Sequence, residues 1–188
     1  RIGYLWTDLE RDRFVRAQER EGEPQHLLTS SQVRTHLYED LSEKDRTRRH
    51  LAVARALESI HSDRIEAISP ELAKQFSRAG QERKEKTYSL IAGRVLRSRG
   101  APSEARQVLE RALELVGPKG KRNERREALL ELGRTFLSER RLEKARSKFE
   151  EARRESKDTE IPECIEGLAR SYLLGRRLEK ALQTIDSG

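Results

Sequence analysis

The chain has a single cysteine, Cys164, so no intrachain disulfide can form. It falls between apolar helix positions, where a small core residue belongs, and its isolation suits a reducing, cytoplasmic setting. No apolar run approaches the ~18 residues of a membrane span, and no secretory leader is visible. Aromatic residues make up only 5%, which leaves few platforms for stacking bases and makes nucleic acid a poor partner. No G-x-x-x-x-G-K-[ST] loop is present to cradle a phosphate. His26, His36, His50 and His61 lack metal-ligand spacing, and the lone thiol has no second cysteine to help it. Carboxylates are plentiful, but they lie on polar helix faces, and nothing marks a pocket that would hold a catalytic pair. No catalytic residue, cofactor or metal is expected.

What the chain does have is charge. Charged residues are 39% and apolar ones 34%, a skew that fits thin helical layers with much surface and little interior. Forty Lys and Arg against 33 Asp and Glu give a net charge of +7, which favours acidic partners. The two signs interleave, as in REALLELGRTFLSERRLEKARSKFEEARRES, so most of this charge describes solvated helix faces. The chain opens on Arg1 and stops at Gly188 inside a repeat, and is expected to be part of something longer.

The string RRLEKA occurs at 140–145 and again at 176–181, at the same place in a longer pattern. One copy reads Leu129, Leu132, Gly133, Phe136, Ala145, Phe149. The next reads Ile165, Leu168, Ala169, Tyr172, Ala181, Ile185, and a weaker one precedes them: Ser89, Ala92, Gly93, Leu96, Ala105, Leu109. A period of this length means stacked helical hairpins. The spacing predicts helix pairs at 81–98 with 102–116, 122–139 with 142–157, and 160–175 with 177–186. Gly93 and Gly133 lie inside helices, at a cost of about 1 kcal/mol each against alanine. Close approach of a facing helix offsets that cost. Ala105, Ala145, Ala181, Ala112 and Ala152 are the matching small contacts, with Ala169 taking the glycine's place in the last copy.

Upstream, residues 1–29 hold the only tryptophan, Trp6, and short apolar runs at 2–6, 14–17 and 26–29, with Gly22 and Pro24 in a turn at 19–24. A small β-hairpin is expected there. Residues 30–41 read as a helix capped by Ser30 or Ser31. Ser42 with Asp45 resembles a capping box with a shortened acid, and the helix that follows should bury Val53, Ala54, Leu57 and Ile60. Ser69 followed by Pro70 reads as a cap and first helical residue, opening a helix with Leu72, Ala73 and Phe76 that stops at Gly80.

The Leu-Gly-x-x-Phe and Ala-x-x-x-Phe series resembles tetratricopeptide repeats (TPR). The spacing between copies is 40 and then 36 residues, rather than a constant ~34, so the turns between repeats are longer. The resemblance implies an all-α fold, a right-handed α-solenoid of TPR-like hairpins, with repeats at about 86–119, 126–159 and 162–188. A second resemblance covers about 28–115. Arg34, Leu37, Tyr38, Leu41, Arg46, His50, Val53, Ala54, Ala56, Leu57 and Glu58 are similar to the segment that follows the ATPase and winged-helix modules in bacterial STAND-type signalling proteins. ELAKQFSRAG at 71–80 is similar to that family's next helix. Leu28 and Ser30 depart from its usual phenylalanine and histidine. This likeness implies that 1–29 is a winged-helix remnant and 30–80 a set of linking helices.

In a TPR-like hairpin the residue after the small one is expected to face the concave groove. Those residues are Arg94, Arg134 and Arg170, with Arg97 one turn beyond Arg94. Guanidinium groups at matching places would form a ladder for carboxylates or phosphates. Leu137, Leu173 and Leu174 would add apolar contact. The opposing expectation is that Glu127, Glu163 and Glu166 neutralise the arginines internally. The function expected is a non-catalytic protein-protein interaction and regulatory module of a larger signalling protein. It would bind a protein or acidic peptide, and contact other domains of its own chain. Two alternatives stand beside it: a DNA-associated region of a transcription activator, and an oligomerisation module in which Leu182 and Ile185 are covered by another subunit.

Overall fold

A computed structural model describes residues 15–20, 23–28, 30–157 and 160–186. The 2–6 run, Trp6 and the Gly22 turn lie outside the described residues. The chain divides into two units, Arg1–Arg48 and Arg49–Gly188.

In the first unit, β1 (Val15–Arg20) pairs antiparallel with β2 (Glu23–Leu28), Val15 opposite Leu28 and Arg20 opposite Glu23. Helix α1 (Ser31–Glu39) follows. Its C-terminal carbonyls are taken up by Arg46, whose guanidinium donates to the Leu41 carbonyl at 2.9 Å and the Glu39 carbonyl at 2.8 Å, and lies over the Tyr38 ring at 5.2 Å. Helix α2 (Glu43–Ile60) starts at Ser42. The Ser42 hydroxyl accepts the Asp45 N–H at 3.1 Å and donates to the Asp45 carboxylate at 2.7 Å, so the serine caps and the acid answers through the side chain.

The second unit holds the rest of α2, then α3 (Ile65–Arg78), α4 (Glu82–Ser98), α5 (Pro102–Val116), α6 (Arg122–Ser138), α7 (Leu142–Arg154), α8 (Ile161–Leu174) and α9 (Leu178–Asp186). Helix α2 buries Ala54 and packs Leu51 and Leu57, while Val53 and Ile60 are exposed, contrary to expectation. The reason is angular: 51, 54 and 57 form one stripe, and 53 and 60 point away from it. Helix α3 also differs from expectation. It begins at Ile65, and Pro70 lies inside it. Proline cannot donate to the Glu66 carbonyl, and the buried Ser69 hydroxyl donates to that oxygen instead, at 2.8 Å. The serine repairs an interior gap rather than opening a helix. Phe76 stacks on Tyr88 with ring centroids 5.5 Å apart, Lys84 lies over both rings, and the Tyr88 hydroxyl donates to Glu58 on α2. Burial and the hydrogen-bonded Glu58 carboxylate push the Tyr88 phenol up to about 12. Burial alone would raise the Glu58 carboxyl, but the hydrogen bonds from Lys84 and Tyr88 and the Lys84 charge hold it below its ordinary value. His50, on α2, is hydrogen-bonded through Nδ1 to Gln75 Oε1 at 2.6 Å.

From α4 onward the helices pair. The turns α3–α4, α4–α5, α6–α7 and α8–α9 share one construction. After α4, Gly100 N–H donates to Arg97 O and Ala101 N–H to Leu96 O; after α6, Arg140 donates to Leu137 and Arg141 to Phe136; after α8, Arg176 donates to Leu173 and Arg177 to Tyr172. This is the Schellman closure, which needs a left-handed residue. Gly100 supplies it with φ +77°, whereas Arg140 and Arg176, the first residues of the two RRLEKA strings, adopt φ +59° and +57°. Helix α6 is buried nearly all round over 128–136, because it is the middle member of the stack. The interior forms two clusters, one around Leu109, Leu129, Leu132, Phe149 and Leu168, the other around Leu72, Phe76, Tyr88 and Leu96, as expected when each layer buries its neighbour.

Candidate functional site

The small residues set how closely the hairpins approach. A Cβ added at Gly93 would lie 2.4 Å from Leu109, and one at Gly133 would lie 2.7 Å from the Phe149 ring. Ala105, Ala112, Ala145, Ala152, Ala169 and Ala181 are all buried. Cys164 is buried too, 3.4 Å from the Ser156 hydroxyl. One contact was not anticipated from the repeat pattern. A Cβ at Gly167 would lie 2.4 Å from the same Phe149 ring, so Phe149 is gripped between the glycine of its own hairpin and a glycine of the next repeat.

The four expected groove arginines fare differently. Arg94 pairs with Glu127 at 3.2 Å, as the internal-pairing expectation has it. Arg97 and Arg134 share one acceptor, Glu131, which the interleaved charge pattern places on a solvated face but whose side chain is only 4% exposed, at 3.1 Å and 2.7 Å. Arg170 makes no ion pair or side-chain hydrogen bond among the described residues. Glu163 pairs with Arg126 at 3.0 Å instead of a groove arginine, and Glu166 pairs with none. Further cross-repeat pairs, Lys86 with Glu124 at 2.5 Å and Arg125 with Glu155 at 3.2 Å, tie successive layers together. Many of the basic side chains are therefore paired with carboxylates inside the stack.

Between α6 and α8 lies a cavity of about 430 Å³. Arg97, Arg134, Leu137, Arg140, Arg170 and Leu174 line it, with Phe149 and Gly167 at its floor and Glu163 and Glu166 on its rim. Five of the seven expected groove residues meet here. Arg94 does not. Leu173 lies elsewhere, in a second, apolar hollow of about 520 Å³ with Ile165, Ala169 and Ile185, which Arg170 also borders. Arg140 was not anticipated, because the pattern marked 140–145 only as a repeat string. The chemistry on offer is cationic hydrogen-bond donors around an apolar floor. Among the described residues, no group of His, Cys, Asp and Glu could hold a metal ion, and no helix is long and apolar enough to cross a membrane.

Comparison with solved structures agrees with this architecture. The crystal structure of BtubC (BKLC) from P. vanneervenii is similar over 83% of this chain and 68% of its own, with a TM-score of 0.57 at 15% identity. A putative kinesin light chain from Podosopora anserina, with nearly identical TPR-like repeats, and a variant of it give TM-scores of 0.47 and 0.48 at 15% identity, over 83% and 84% of this chain and 92% of each of theirs. No protein-family model matches the chain, and no curated protein matches it by sequence. The second unit is an all-α solenoid of TPR-like hairpins, built on glycine and alanine contacts between paired helices.

Proposed function

We propose that the chain is a protein-protein interaction scaffold that takes a protein or peptide segment into the cavity between α6 and α8. The observation that carries this reading is the meeting of Arg134, Arg140 and Arg170 with Leu137 and Leu174 around one hollow. Guanidinium groups offer paired donors to carboxylates, and the leucines offer desolvation to a neighbouring apolar side chain. Selection from a random peptide library tests it. The wild-type chain should enrich acidic sequences, and Arg170→Glu should lose them. Equal enrichment by both proteins would refute the groove. A place as regulatory arm of a larger signalling protein rests on the resemblance of 28–115 alone; there, a bound segment would bias one arrangement of the stack over another.

A second reading has its own observation. Helix α9 buries only Ala181 and exposes Leu178, Leu182 and Ile185 at 60%, 54% and 55%. This apolar face supports self-association. Light scattering should then give a dimer mass that Leu182→Lys abolishes; a monomer mass at every concentration would remove this reading.

A further inference from the structure

Successive repeat interfaces can be compared position by position. Residues 97 and 131 face each other across α4 and α6, and the same positions one repeat on are 137 and 167, across α6 and α8. The first pair is an ion pair, Arg97 to Glu131 at 3.1 Å. The second is Leu137 and Gly167, which both line the cavity. The chain has thus replaced a cation and a buried carboxylate by a leucine and no side chain at all. Two consequences follow. The Phe149 ring fills the space where a side chain at 167 would begin, and the cavity lies beside that ring, with no carboxylate arm reaching into it from 167. And Arg170, which stands to Gly167 as Arg134 stands to Glu131, has lost the partner that Arg134 holds three residues back at 2.7 Å.

We infer that the groove is not a uniform ladder but holds one anion-binding subsite, set by the Glu131-to-Gly167 exchange, which takes a carboxylate side chain of a peptide on Arg170 and Arg140 while an adjacent apolar side chain enters the hollow over Phe149. The inference rests on the groove reading above and narrows it. Arg94 and Arg97 drop out, since Glu127 and Glu131 already serve them. Arg140 enters, since it lines the hollow and makes no ion pair among the described residues. Arg134 contributes only part of its charge, because Glu131 holds its other face. An acidic peptide fits better than a bare anion because Leu137, Leu174 and Phe149 give the hollow an apolar base that a phosphate or free carboxylate would leave unfilled.

Fluorescence anisotropy of the full chain tests this with a labelled peptide of glutamates around one leucine, and with its glutamine and alanine counterparts. The glutamate–leucine peptide should bind best. Arg170→Gln and Arg140→Gly should each weaken it about fivefold, while Arg94→Gln changes it less than about twofold. Arg140→Gly relieves a left-handed arginine, so it is expected to fold at least as well as the parent, and lost binding in it cannot be put down to misfolding. If the peptide binds but Arg94→Gln costs as much as Arg170→Gln, or if the alanine peptide binds equally, the subsite is overturned and the groove stands. If no acidic peptide binds, both fall.

Discussion

Replacing Gly93 by alanine would place a methyl carbon 2.4 Å from Cγ and Cδ2 of Leu109, well inside the 3.5–4.0 Å or so of ordinary carbon contact. Leu109 is 0% exposed and is crowded at its branch point as well as its tip, so it cannot swing aside without moving its neighbours. Overpacking of this kind costs about 1–3 kcal/mol. Against it, alanine gains about 1 kcal/mol over glycine in a helix interior. The net expectation for Gly93→Ala is a loss of roughly 1 kcal/mol, which for a chain of this length lowers Tm by about 2–4 °C. Urea unfolding followed by far-ultraviolet circular dichroism reads it, provided the slope with denaturant is unchanged. A second variant isolates the clash. Leu109→Ala should itself cost about 2–5 kcal/mol, but in that background Gly93→Ala should become neutral or stabilising, because the new methyl enters space the leucine has left. A gain of about 1 kcal/mol for Gly93→Ala in the parent chain, the value for an open helix, would refute the close approach of α4 and α5.

Other outcomes follow from particular residues. Arg140→Gly and Arg176→Gly relieve left-handed positions at φ +59° and +57°, and each should stabilise by about 1 kcal/mol in a thermal melt. Tyr88 should make stability fall in alkali. Its folded value of about 12 lies above the ordinary 10.0, so its contribution is complete below pH ~10 and is lost as pH rises through ~12, an upper bound of about 2–3 kcal/mol. Urea midpoints across that range should drop in the parent and drop less in Tyr88→Phe. Glu58 has the opposite sign: its lowered value gives a contribution present above the ordinary carboxyl range and lost as pH falls through the depressed one, so acid midpoints should fall less in Glu58→Gln.

The helix pairs and their small contacts were legible because a repeat prints the same requirement more than once. Gly93 and Gly133 announce themselves by standing where alanine would be the better helix former. Gly167 did not, since the pattern assigned the small position of that repeat to Ala169. Its reason lies in another repeat: Phe149 is larger than its counterpart Leu109, and the ring reaches across to α8. Glu131 was hidden for a similar reason. In a chain so rich in interleaved charge nothing marks one glutamate as buried, and Glu131 lies between Arg97 of the facing helix and Arg134 of its own. Ser69 and Pro70 carry the composition of a helix start, yet the same hydroxyl that could cap a terminus also fills the gap proline leaves in an interior turn. In the sequence Arg140 is only the first residue of a repeated string. Its left-handed backbone and its place on the cavity wall depend on how α6 meets α7, which spacing alone does not convey.

Binding at the hollow between α6 and α8 fixes where a partner touches. Amide chemical shifts of the isotope-labelled chain, recorded while the glutamate–leucine peptide is added, test that most directly. The largest changes should fall at 137–140 and 166–174, the two stretches that meet around the hollow. Changes centred instead on Leu113, Gly117 and Lys148, which border a different hollow, or no changes at all, would contradict it.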